Sequence, residues 1–165
     1  MGVFTRKVVK SMMIHSEQEA MYLACEMESA AVQLYTRALQ LMEQLGRENE
    51  PLYAELKQML KDEQAHLVRF RSLYKGLEAS EEQQLSLAAV ADGILFDDGL
   101  MGAVRKGLLS NVESMLRFAA DSERASAKKY RDFAAVSATE EAKQALMKIA
   151  QEEDGHLREL ENAAN

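Results

Sequence analysis

The sequence predicts an all-α protein, a bundle of four long helices, and three observations carry that prediction. Pro51 is the only proline, and Ala, Leu, Met, Glu, Lys, Arg and Gln dominate a chain with few β-branched or aromatic residues, so intrinsic propensity favours helix almost throughout. Four segments repeat apolar residues every three to four positions over several turns, the period of a helix with one buried face. A short motif occurs twice: Glu63 and His66 frame one Glu-x-x-His, and Glu153 and His156 frame another. Each is preceded upstream by a glutamate with a tyrosine seven residues further on, Glu28 with Tyr35 and Glu123 with Tyr130. At 165 residues the chain suits one domain spanning 1–165, with a substantial core.

Residues 1–15 are open between a short amphipathic helix, an arm on a neighbouring subunit and a frayed end, and His15, with no glutamate three residues before it, reads as a solvated terminal histidine. Helix A starts at Ser16, where Glu19 completes a capping box, and runs to about Leu45 with Gly46 as its C-cap. One stripe holds Met21, Ala24, Cys25, Glu28, Tyr35 and Met42. A second holds Leu23, Met27, Leu34, Ala38 and Leu41, so helix A needs cover on more than one face, from the crossover or from another subunit. That wide apolar surface makes a homodimer the expected assembly.

Helix B starts near Pro51, whose missing N–H is not required in the first turn, and continues to about residue 75, before Gly76. The short connection makes A and B antiparallel neighbours. Residues 77–109 have no sustained period, and Gly93, Gly99, Gly102 and Gly107 break them up. Their large apolar residues, Ile94, Leu95, Phe96 and Leu100 among them, predict a crossover along the bundle carrying one or two short helices. Helix C follows Ser110, with Glu113 three residues on, over about 111–135. Helix D follows Ser137, with Glu140 three residues on, over about 138–161.

Composition excludes several functions. A net charge of -7 provides no basic face to displace counterions from a phosphate backbone, so no nucleic-acid partner is expected. No stretch approaches the ~20 apolar residues that span a bilayer, and the first residues do not form a signal peptide, so a cytoplasmic protein without a membrane partner is expected. The single Cys25 allows no intramolecular disulfide and no thiolate-built zinc or iron site.

The repeated residues point to metal. Glu28, Glu63, Glu123 and Glu153 each sit on an apolar stripe where a core residue belongs. Taking one carboxylate out of water costs several kcal/mol even after relaxation, while a whole domain is stable by only about 5–15 kcal/mol. Two divalent cations would cancel the charge of four carboxylates, and His66 and His156, each one turn from a glutamate, would add neutral ligands. Oxygen-rich sites with one imidazole each suit iron or manganese; zinc remains possible. Counting from the turns places Glu123 and Glu153 at similar heights but offsets Glu28 from Glu63 by ~7 Å, so helix A must overhang or its connection must be asymmetric.

These residues resemble the ferritin-like superfamily of di-iron carboxylate proteins, and within it the rubrerythrin-like group. The resemblance covers helices A to D and the long crossover. It implies two iron ions held by Glu28, Glu63, His66, Glu123, Glu153 and His156. It also implies that Tyr35 and Tyr130 donate hydrogen bonds to the ligand carboxylates, the alternative being ordinary core tyrosines. The activity implied is reduction of a small oxidant, peroxide or dioxygen, by an oxidoreductase, with an iron-oxidising protein of ferritin type and a non-catalytic helical interaction module as alternatives. The chain departs from the family in two respects: Ala120 and Ser126 stand where rubrerythrins look to carry a further glutamate near the helix C ligand, and no paired Cys-x-x-Cys is present. An external electron donor is therefore expected.

Overall fold

A computed structural model describes residues 14–95 and 100–165, and within them the chain is helical, with no strand. The helices are α1 (Glu17–Gln44), α2 (Pro51–Leu73), α3 (Ala79–Ala91), α4 (Leu100–Arg105), α5 (Val112–Val136) and α6 (Glu140–Ala164). Helices A to D of the sequence are α1, α2, α5 and α6. The crossover carries α3 and α4, while residues 1–13, open in the sequence between a short helix, an arm and a frayed end, lie outside the described residues.

Helix directions follow from cross-chain bonds. Tyr35 on α1 bonds to Glu123 on α5, and Tyr130 on α5 to Glu28 on α1, so these helices are antiparallel. His66 on α2 meets Glu152 on α6 and His156 on α6 meets Asp62 on α2, so that pair is antiparallel too. Helices α2 and α5 therefore run parallel, and their connection must travel the length of the bundle. It does so along α1. Ala89 of α3 packs with Ala20–Met27, and Leu100, Ala103 and Leu109 pack with Leu34–Met42. The second apolar stripe of α1 is thus covered within one chain: Leu23, Met27, Leu34, Ala38 and Leu41 are buried.

The termini of the helices correct several sequence expectations. Ser16 caps α1 as expected, accepting the Glu19 N–H at 3.2 Å. At the other end the C-cap is Leu45, and Gly46, expected as the cap, is the following residue at φ +67°. Gly46 N–H donates to Glu43 O and Arg47 N–H to Met42 O, a closure that requires the left-handed backbone glycine adopts without strain. Helix α2 stops at Leu73 rather than near 75. Tyr74 turns extended, and its hydroxyl receives the Leu77 N–H and donates to Glu82 at 2.5 Å.

Ser110 and Ser137 are not the caps. Ser110 Oγ donates back to Gly107 O, and Asn111 caps α5 by accepting Ser114 N–H at 2.8 Å. Ser137 Oγ donates to Phe133 O, and Thr139 caps α6. Glu17 at the start of α1 accepts both the N–H and the hydroxyl of Thr139 at 2.8 Å, holding that residue in place from the far end of the sequence.

The offset between Glu28 and Glu63 is met by overhang: α1 runs 16 residues beyond Glu28, to Gln44, whereas Glu63 lies only 12 beyond Pro51. In the second hairpin both distances are 13 residues, from Glu123 to Val136 and from Glu140 to Glu153. A polar layer therefore divides the core. On one side lie Met21, Phe70, Phe133, Leu146 and Ile149; on the other lie Leu34, Met42, Leu56, Met59, Met115 and Leu160.

Candidate metal centre

The polar layer consists of Glu28, Glu63, His66, Glu123, Glu153 and His156, all at most 5% exposed. Helical spacing explains the convergence: each ligand glutamate interrupts an apolar stripe, so the packing that buries the stripe carries its carboxylate inward. The carboxylates and imidazoles form two groups, Glu28 with Glu63, His66 and Glu153, and Glu123 with Glu63, Glu153 and His156. Within each group one donor atom per residue lies within 4.8 Å of all the others. Glu63 and Glu153 belong to both groups, so they are the residues that two ions would share.

Two half-exposed acids fix the histidines. His66 Nε2 lies 2.7 Å from Glu152 and His156 Nε2 lies 3.0 Å from Asp62. In the neutral imidazole a metal would bind, a carboxylate at Nε2 selects the tautomer that carries its proton there and turns the Nδ1 lone pair inward. The rings are nearly parallel, 26° apart, with centroids separated by 6.2 Å. Sequence reasoning missed both acids. The available signal was their position, since Asp62 and Glu152 each directly precede a motif glutamate.

Nδ1 of His66 is 3.0 Å from Glu153, and Nδ1 of His156 is 2.9 Å from Glu63. Neither nitrogen is aligned for a hydrogen bond, and both oxygens of Glu63, Glu153 Oε1, Glu28 Oε2 and Glu123 Oε2 also lack a partner. Buried acceptors that face one another are costly unless a cation or added protons stand between them. A cation needs only their lone pairs, so the donor set fits two metal ions and explains why so many acceptors face one another.

The proton affinities describe the same congestion. Burial, then the charges of Glu153 and Glu28, holds Glu63 well above the usual carboxylate range. Burial, then Glu123 and Glu28, does the same to Glu153. Burial alone would lower His156, but Glu123 and Glu63 overcome it and push it up to about 11. Burial would raise Glu123, yet His156 beside it brings it below the ordinary value. The metal-free cluster thus holds protons where cations would stand.

Tyr35 and Tyr130 are buried and donate to carboxylates, but each to the opposite half: Tyr35 to Glu123, and Tyr130 to Glu28 at 2.8 Å. Cys25 is buried outside both groups, and burial pushes its thiol up to about 11.

A family model described as Rubrerythrin matches residues 19–164, which include every residue of the cluster. The chain belongs to the rubrerythrin family. No curated protein and no solved structure matched it. The match takes in the ferritin-like helical domain of rubrerythrins, and the 165 residues supply no thiolate set for a rubredoxin iron. No described helix of this rubrerythrin-family chain is long and apolar enough to cross a membrane.

Proposed function

We propose that this protein binds two iron ions and reduces a small oxidant, peroxide in preference to dioxygen, with electrons returned by an external donor in the cytoplasm. The observation that carries the reading is the sharing of Glu63 and Glu153 between two buried four-residue groups. Two Fe(II) ions bound there would supply one electron each, so that peroxide and two protons become two waters.

Glu28 and His66 would complete one ion's ligands, and Glu123 and His156 the other's. The donor set is mostly oxygen with one imidazole per ion, which favours iron or manganese over a thiolate-seeking metal. Glu152 and Asp62 orient the imidazoles from outside. Tyr35 and Tyr130 remain protonated, since burial and neighbouring carboxylates hold both phenols well above their ordinary value. They therefore serve as fixed donors to Glu123 and Glu28. The hydrophobic layers above and below the cluster exclude bulk water from it.

The test is rapid mixing of protein loaded anaerobically with Fe(II). Oxidation should be faster with peroxide than with an equal concentration of dioxygen, and the oxidised protein should be reducible by an added electron donor. Equal or negligible rates would reject the peroxidase reading.

A further inference from the structure

The α2–α6 side of the cluster is closed by the two imidazoles and their bonds to Glu152 and Asp62, and a groove of about 260 Å³ there reaches His66. The α1–α5 side is built differently. Across that seam the Tyr130–Glu28 and Tyr35–Glu123 bonds form two rungs. Ala31 lies three residues past Glu28 and four before Tyr35, and Ser126 lies three past Glu123 and four before Tyr130. In antiparallel helices these two residues fall between the rungs, within ~2 Å of one height at the helical rise. Val32 and Ala127 lie between the rungs as well, but only Ala31 and Ser126, a methyl and a hydroxymethyl, belong to the lining of the cavity on the outer side of the seam. Directly outside is a cavity of about 340 Å³ that includes Ala31 and Ser126 in its lining, with Met27, Leu34, Ile94 and Phe118 as apolar walls.

We propose that this cavity is the port through which small molecules reach the cluster, and that Ala31 and Ser126 frame its window. The inference rests on the two-metal reading of the cluster and adds the route and the size class of what is admitted: molecules of two or three heavy atoms, such as peroxide. The tyrosine rungs tie α1 to α5 on either side of the window.

The test uses the full chain loaded anaerobically with Co(II), with azide as probe and the visible cobalt spectrum as readout, so that no redox turnover is needed. Ala31→Leu and Ser126→Leu should slow azide association and dissociation together, by at least about tenfold, with the dissociation constant little changed, because a gate alters rates in both directions equally. Ala65→Leu, in the α2–α6 groove, should alter neither rate. Ala31→Gly, which fills nothing, should speed both and serves if the larger side chains prevent folding. Unchanged rates in the Ala31 and Ser126 variants, or slowing by Ala65→Leu instead, would overturn the port. A chain that takes up no cobalt would overturn the two-metal reading and the port with it, whereas cobalt uptake with unaffected azide rates would overturn the port alone.

Discussion

Tyr130 on α5 donates its phenolic proton to Glu28 on α1 over 2.8 Å, joining two residues 102 positions apart, and Tyr35 repeats the bond in the opposite direction to Glu123. The chain's two halves are thus tied by reciprocal contacts around one pseudo-twofold arrangement. Tyr130→Phe would leave a buried carboxylate oxygen without its donor, a loss of about 1.5–3 kcal/mol for a hydrogen bond to a charged group. Tyr35→Phe should cost a similar amount. Thermal unfolding of the metal-free variants measures both, and a clearly smaller effect from either would deny it a role in holding its glutamate.

The sharing of ligands makes metal stoichiometry diagnostic. His66→Ala and His156→Ala should each lower metal content, towards one ion per chain, as should Glu28→Ala or Glu123→Ala. Glu63→Ala and Glu153→Ala remove residues common to both groups and should abolish tight binding of both ions. Elemental analysis after dialysis decides, and full metal content in either histidine variant would refute that histidine as a ligand.

Glu152 and Asp62 act through the rings they hold. Replacing Glu152 by Ala frees His66 to rotate or change tautomer, and loss of such an outer partner typically weakens metal affinity about 10–100-fold. Asp62→Ala should do the same through His156. Competition against a chelator of known affinity reads the effect, and unaltered affinity in both would show that the rings are fixed by packing alone.

Proton and metal binding should oppose each other. Glu63 and Glu153 have folded values raised above 4.5, and His156 is raised from 6.5 to about 11. The folded metal-free protein therefore holds more protons than the unfolded chain. The stability these groups contribute is complete below their unfolded values and is lost as pH rises through the folded ones. Glu123, with its value lowered, works the other way, its contribution being lost as pH falls through its folded value. His66 is raised as well, by Glu28 and Glu152 against its burial, so four raised groups outweigh one lowered and the melting temperature of metal-free protein should fall between about pH 5 and pH 9. Metal should reverse the trend, with protons released on uptake and affinity rising with pH. A flat metal-free profile, or uptake without proton release, would contradict this account.

What the sequence determined by itself is what a helix decides locally. Periodicity fixed the four long helices and the inward placement of Glu28, Glu63, Glu123 and Glu153. The i, i+3 spacing fixed the pairing of Glu63 with His66 and of Glu153 with His156, because neighbours on one helical face need no information about any other helix. The Ser16 cap was legible for the same reason.

Tertiary structure decided what depends on which helix lies opposite which, and in what direction. It chose Glu123 rather than Glu28 for Tyr35, brought Asp62 to His156 and Glu152 to His66, and made Thr139 rather than Ser137 the α6 cap through Glu17. Each of these contacts joins residues more than 80 positions apart, and their side chains meet only once the crossover has laid itself along α1 and set α5 antiparallel to it. The Glu-x-x-His pairs, and the acids that directly precede their glutamates, stand in one strip of sequence, but which acid meets which histidine could not be read there, since each bond reaches the opposite helix.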